Sequence, residues 1–225
     1  MITQLKEVVR RLANDSLEKL RHARYVENLV CYAGLVPDFR DIYNGYEFFC
    51  NESRGLYQMP PQFAAALVYL SDKSIADVVE IGTHSGWSTL FLSVYLSRFV
   101  SDFRCVSIDP WDKLDPEILP LVQESGLNVE FRRDTSQTYS SDSDLCIIDG
   151  CHRYDWLQHD FFNLGVRSRW CWFHDMNDRY CPDVVRFYGE IVGASVEFTQ
   201  APNDKPVMGI GIVSMSDYKC NTNLL

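Results

Sequence analysis

The residues best placed to do chemistry in this chain of 225 amino acids come in short groups, each at the end of an apolar run. The first is Val78-Val79-Glu80-Ile81-Gly82-Thr83-His84-Ser85-Gly86, where an acid and a two-glycine turn lead into an apolar window from Trp87. After a strand of an open parallel sheet, such a turn lies where ligands bind, and glycine there lets a ligand approach the backbone. Cys105-Val106-Ser107-Ile108 then ends in Asp109, 27 positions beyond Gly82, where a carboxylate can accept from both hydroxyls of a ribose. A dinucleotide-binding turn would read GxGxxG, but His84 stands at its second glycine and Gly86 falls four after Gly82. Side chains in this turn would crowd a pyrophosphate. A sulfonium nucleoside has none, which favours methyl transfer over hydride transfer.

Two further runs, Ile147-Ile148-Asp149 and Trp172-Phe173-His174-Asp175, also end in ionisable groups. Neighbouring parallel strands would bring Asp149 and Asp175 to one sheet edge, where two carboxylates repel unless a proton or cation lies between them. A hard divalent cation such as Mg²⁺ is the natural candidate, with the role of holding a substrate hydroxyl and favouring its ionised form. His152 follows the fourth strand by a few residues and is the leading candidate to take a proton near neutral pH, with His174 as the alternative. Asp160 is expected to sit at the surface or orient its helix, and His22 and His159 to lie on solvated faces. Cys151 beside His152 lacks a second ligand pair at zinc spacing, so no zinc site is expected. Trp111, Tyr57, Trp156 and Tyr180 could close over a ring, though core packing explains most aromatic residues.

The elements that must position these groups follow from periodicity. Strands are predicted at 76–81, 104–108, 127–132, 144–148, 169–174, 194–199 and 207–213, with helices at 86–99, 115–125, 153–166 and 182–192. The alternation predicts an α/β fold: a Rossmann-like, seven-stranded, mostly parallel sheet with helices on both faces. Only 200–206 separate the last two strands, too few for a crossover helix, so they should pair as a hairpin and contribute one antiparallel strand. Pro60-Pro61 should open a helix over 62–70. Before it, Leu5 to Val30 recur with a helical period broken near Asn14 and Asp15. Asp15, with Glu18 three residues later, would cap a second helix that Gly34 and Pro37 end. Residues 1–60 thus read as an N-terminal helical appendage and an ordered loop (38–60), and 61–225 as the binding domain. The appendage would pack on the core, or act as a lid or as the arm of a homodimer.

Composition sets the remaining bounds. Apolar residues make up 46% and charged residues 23%, as expected of a globular chain. The net charge of −10 and the lack of a basic stripe disfavour a nucleic-acid partner. No signal peptide and no apolar stretch long enough to span a membrane are evident, and the eight cysteines show no CxxC spacing. A cytoplasmic protein with reduced, mostly structural thiols is expected.

From Gly55 to Met215 the sequence resembles the class I S-adenosylmethionine-dependent methyltransferases, specifically the small-molecule O-methyltransferases of methyltransferase family 24. The resemblance rests on Gly55-Leu56-Tyr57-Gln58, Glu80 to Thr89, Ile108-Asp109, Asp134-Thr135-Ser136, Ile148-Asp149-Gly150-Cys151-His152-Arg153-Tyr154 and His174-Asp175. It implies that Glu80, Gly82, Thr83, Gly86, Asp109, Asp134, Ser136 and Asp149 line the cofactor site, with Ser136 near the adenine. It also implies metal ligands at Asp149 and Asp175, and the candidate catalytic residues are Asp149, His152 and His174. The chain departs from the family where an acid is common: Cys151 stands at one such position, and His174 and Met176 flank Asp175. The implied activity is methyl transfer from S-adenosylmethionine to a hydroxyl of a sugar or phenolic small molecule. The alternatives are a non-catalytic Rossmann binding or scaffold protein and a nucleic-acid methyltransferase.

Overall fold

A computed structural model describes residues 2–35, 55–191, 195–201, 207–216 and 218. Pro37, most of the 38–60 loop and 202–206 therefore lie outside the described residues. Seven strands form one sheet: β1 (Asp77–Ile81), β2 (Arg104–Ile108), β3 (Asn128–Arg132), β4 (Ser143–Ile148), β5 (Ser168–His174), β6 (Ser195–Phe198) and β7 (Ile210–Ser214). Their spatial order is β3-β2-β1-β4-β5-β7-β6. The first five pair in parallel, whereas β7 runs antiparallel to both β5 and β6. The predicted hairpin pairing is present, and β7 is the single reversed strand. It starts three residues later than predicted, after Met208 and Gly209, which both take positive φ.

Strand order reverses between β1 and β4, so the crossovers leave in opposite directions there and a crevice opens beyond the strand ends. Alternation along the strands divides the core. Val78, Cys105, Leu145, Ile147 and Trp172 face a large apolar cluster, while Val79, Val106, Cys146, Ile148 and Phe173 face a second. On the first face lie α4 (Pro60–Leu70), α5 (Trp87–Leu96) and α6 (Ile118–Ser125); on the second lie α7 (Tyr154–Asn163) and α8 (Pro182–Glu190). Buried Gln62 ties α4 to the entry of β7, donating to the Val207 carbonyl (3.1 Å) and accepting the Gly209 N–H (2.9 Å).

The N-terminal segment differs from its sequence reading. Three helices form, α1 (Ile2–Asn14), α2 (Leu17–Leu20) and α3 (Ala23–Ala33), with the extra break at Arg21-His22. The cap of α2 is Ser16, whose hydroxyl accepts the Lys19 N–H, and not Asp15. The Asp15 carboxylate accepts instead from the Tyr25 hydroxyl on α3, so it joins helices and does not start one. Leu5, Val8, Leu12, Val26 and Val30 enter the same apolar cluster as α4 and α5. The Tyr95 hydroxyl on α5 donates to the Leu20 carbonyl at 2.7 Å. These helices pack as a layer of the core. Among the described residues no helix is long and apolar enough to cross a membrane.

Candidate active site

A cavity of about 410 Å³ opens at the reversal point, between the turn after β1 and the ends of β4 and β5. Gly82, Thr83, His84 and Ser85 form one wall; Asp149, His152, His174 and Asp175 form the other. Gly82 has φ +103°, and a β-carbon there would lie 2.0 Å from the Asp149 carbonyl oxygen. The glycine is therefore required by the close approach of the β4 loop, not only by a ligand. Gly86, at φ +78°, starts α5 and is enclosed by Leu114 and Ile118, away from the cavity.

Glu80 does not reach the cavity wall. Its side chain is buried and accepts from Thr89 and Ser107 hydroxyls, both at 2.5 Å, while Thr83 Oγ1 lies 2.6 Å from Ser107 Oγ. Burial raises the Glu80 carboxyl to about 7, against the lowering effect of those two hydroxyls. The chain Thr83-Ser107-Glu80-Thr89 thus fixes the turn from beneath.

Asp109, Asp134 and Ser136 stand further along the same edge, at the ends of β2 and β3. Asp109 accepts the backbone N–H of His84 (3.0 Å) and of Trp111 (2.8 Å), one on each oxygen. Each oxygen keeps a second lone pair for a hydroxyl. Asp134 caps its own turn, accepting from Thr138 and from the Thr135 N–H; the Thr138 hydroxyl is the main cause of its lowered pKa. Ser136 is buried and donates to Asp160 at 2.5 Å. Asp160 is not at the surface: it is 3% exposed, and burial raises its carboxyl to about 6. The helix-orienting role expected of it is the one it fills, while His22 and His159 are exposed as expected.

The ends of β4 and β5 carry a contrasting cluster. His174 Nδ1 lies 3.1 Å from Asp149 Oδ1 and 3.3 Å from Asp175 Oδ1, and Nε2 has no partner. Burial opposes protonation of His174, but the two carboxylates outweigh it and hold its pKa well above the ordinary range. The other oxygen of Asp175 lies 3.2 Å from His152 Nε2, and His152 Nδ1 is 3.2 Å from Cys181 Sγ. Asp175 itself takes φ +59°, an uncommon backbone conformation for a residue with a β-carbon. Cys181, Asp178 and Met208 also line the cavity and were not singled out from sequence. Cys181 lies 29 positions from His152 and belongs to no spacing motif, so only the fold brings them together.

Ligand atoms of Asp149, His174 and Asp175 fall within 4.8 Å of one another. Two carboxylates around a buried imidazole whose Nε2 has no hydrogen-bonded partner fit a divalent cation, with a nitrogen donor that Mg²⁺ does not require. Tyr57 packs edge-on to His84 (4.9 Å), and Tyr180, 73% exposed, stands at the mouth. Trp111 is 67% exposed beside Asp109, whereas Trp156 packs against His159.

Residues 79–169, from within β1 to the start of β5, match a family model described as a methyltransferase domain. This region is similar to methyltransferase domains. No curated protein matches the chain. Among solved structures, an O-methyltransferase from Bacillus cereus in complex with S-adenosylhomocysteine shares 16% identity at a TM-score of 0.54, covering 95% of this chain and 100% of that one. The O-methyltransferase TomG from Streptomyces achromogenes, involved in tomaymycin synthesis and bound to S-adenosylmethionine, shares 17% at 0.51, covering 71% and 82%. An S-adenosylmethionine-dependent O-methyltransferase from Thermotoga maritima shares 12% at 0.53, covering 73% and 68%. At these identities the likeness is one of fold. The matched region supplies both walls of the cavity up to His152, and β5 with the loop after it adds His174, Asp175 and Cys181.

Proposed function

We propose that the protein transfers the methyl group of S-adenosylmethionine to a hydroxyl of a small molecule of sugar or phenolic type. One observation carries this reading: the cofactor turn and a cluster of proton-accepting groups face each other across a single cavity. Asp109, with an acceptor lone pair free on each oxygen, would hold the ribose hydroxyls, and the Gly82–Ser85 turn would hold the methionine end. Asp134 and Ser136 would flank the adenine. The acceptor oxygen, the methyl carbon and the sulfur must be nearly collinear, and opposed walls supply that alignment.

His152 would take the acceptor's proton, with Asp175 orienting the ring through Nε2. Its Nδ1 faces the Cys181 thiol, a weak donor that an acceptor hydroxyl can replace. Asp149, His174 and Asp175 would hold a divalent cation, which when bound lowers the pKa of a hydroxyl it contacts. A cavity of about 410 Å³ fits a small acceptor, and the net charge of −10 disfavours nucleic acid. The test is transfer of labelled methyl to a library of hydroxylated acceptors. Turnover with an O-methyl product supports the proposal; cofactor binding with no turnover on any acceptor replaces it with a binding or scaffold role.

A further inference from the structure

The cavity wall holds a second convergence of donor atoms besides the Asp149–His174–Asp175 group. Cys181, His152 and Asp175 also each offer a ligand atom within 4.8 Å of the others. These come from three places in the chain: the start of α8, the loop after β4 and the end of β5. Cys181 Sγ lies 3.2 Å from His152 Nδ1, and Asp175 Oδ2 lies 3.2 Å from the opposite ring nitrogen, Nε2. An ion takes only one of these nitrogens. With the three ligand atoms within 4.8 Å of one another, a small rotation of the His152 ring brings thiolate, imidazole and carboxylate towards the roughly 3.5 Å spacing of tetrahedral zinc ligands. The groups are reachable, since His152 is 39% exposed and Cys181 half-buried. Asp149, Asp175 and Asp178 line this wall, and among the described residues no lysine or arginine does.

We propose that Cys181, His152 and Asp175 form a site for a thiophilic borderline cation of the zinc class, distinct from the Asp149–His174–Asp175 group and sharing Asp175 with it. Sulfur, imidazole and carboxylate together select such ions over Mg²⁺, and three protein ligands leave a fourth position open. On binding, the S–H bond of Cys181 breaks, its proton passes to the buffer, and a metal–thiolate bond forms with no change of oxidation state. The same residue types also make nucleophile triads. That role needs a thiolate in the free protein, and burial with Asp175, Asp178 and Asp149 nearby pushes the Cys181 thiol up to about 12.

A consequence rests on the function proposed above: an ion here withdraws His152 from proton transfer, so zinc inhibits methyl transfer. Cys181 thereby supplies the partner ligand that Cys151-His152 lacks in sequence.

The experiment is titration of the chelator-treated full chain with Co²⁺, read by absorption. One equivalent should develop a thiolate-to-cobalt charge-transfer band, and Zn²⁺ should abolish it by displacement. Cys181→Ser should remove the band and weaken Zn²⁺ at least about tenfold. His152→Gln should also weaken Zn²⁺ at least about tenfold, and Cys151→Ser should leave the band in place. No band in the wild type, or a band indifferent to Cys181→Ser, overturns the site. The band needs no methyl transfer, so failure of the acceptor screen would leave this assignment standing or falling on its own. Should the enzyme turn over yet keep its rate with one bound equivalent of zinc, the inhibitory consequence is wrong.

Discussion

One sheet edge treats its polar side chains in two opposite ways. At the ends of β1, β2 and β3 every acid noted above already has donors: Glu80 has two hydroxyls, Asp109 two backbone N–H groups, and Asp134 a hydroxyl and an N–H. At the ends of β4 and β5, buried His174 is ion-paired through Nδ1 with two carboxylates, while its Nε2 has no hydrogen bond. A buried polar group lacking partners costs stability, so it is retained where it acts on a ligand, a proton or an ion. On the function proposed above, the first region is the scaffold that would hold the cofactor. The second keeps an unpartnered buried nitrogen, His174 Nε2, and on the same reading is where the reaction would take place.

The comparison can be broken in order of expected effect. Gly82→Ala joins the two regions by force, because its β-carbon overlaps the Asp149 backbone at a positive φ. Thermal or denaturant unfolding should show a loss upwards of about 4 kcal/mol, and a loss under about 1 kcal/mol would mean the loops are not in such close contact. His152→Gln should act on the reacting region alone, lowering kcat about 10²- to 10⁴-fold in single-turnover transfer while cofactor affinity stays within about twofold. A rate unchanged by this substitution moves the proton elsewhere.

Glu80→Gln probes the scaffold. The folded carboxyl titrates near 7 against an ordinary 4.5, so the stability tied to its protonated form is complete below pH 4.5 and is lost as the pH rises through 7. The variant should therefore match the wild type at pH 4 and exceed it by about 3 kcal/mol at pH 8, by denaturant unfolding at each pH. A stability gap independent of pH would contradict a raised carboxyl. Ser136→Ala leaves Asp160 buried without its donor and should cost about 2 kcal/mol, again by unfolding.

These two regions were not equally legible in sequence. Periodicity placed all seven strands to within about three residues, because β1 to β5 and β7 bury one or both faces in a regular pattern, whereas β6 is set by its short separation from β7. It also carried Asp149 and Asp175 to one edge, since parallel strands start a layer and end it together. Spacing says where along an edge a residue lies but not which way its side chain turns. Glu80 and Gly86 accordingly fell inside the scaffold, and Asp160 went under the surface to meet Ser136. The break at Arg21-His22 was hidden because apolar positions continue across it with nearly helical spacing. Cys181 carried no local signal at all, since its partners are set by the packing of α8 against the end of β5.

The division of labour between the two regions is tested most directly by calorimetric titration of S-adenosylmethionine into Asp109→Ala and Asp175→Asn. The scaffold assignment predicts at least about a hundredfold loss of affinity for Asp109→Ala and less than about a twofold change for Asp175→Asn. Unchanged affinity in Asp109→Ala, or an equal loss in both variants, would contradict it.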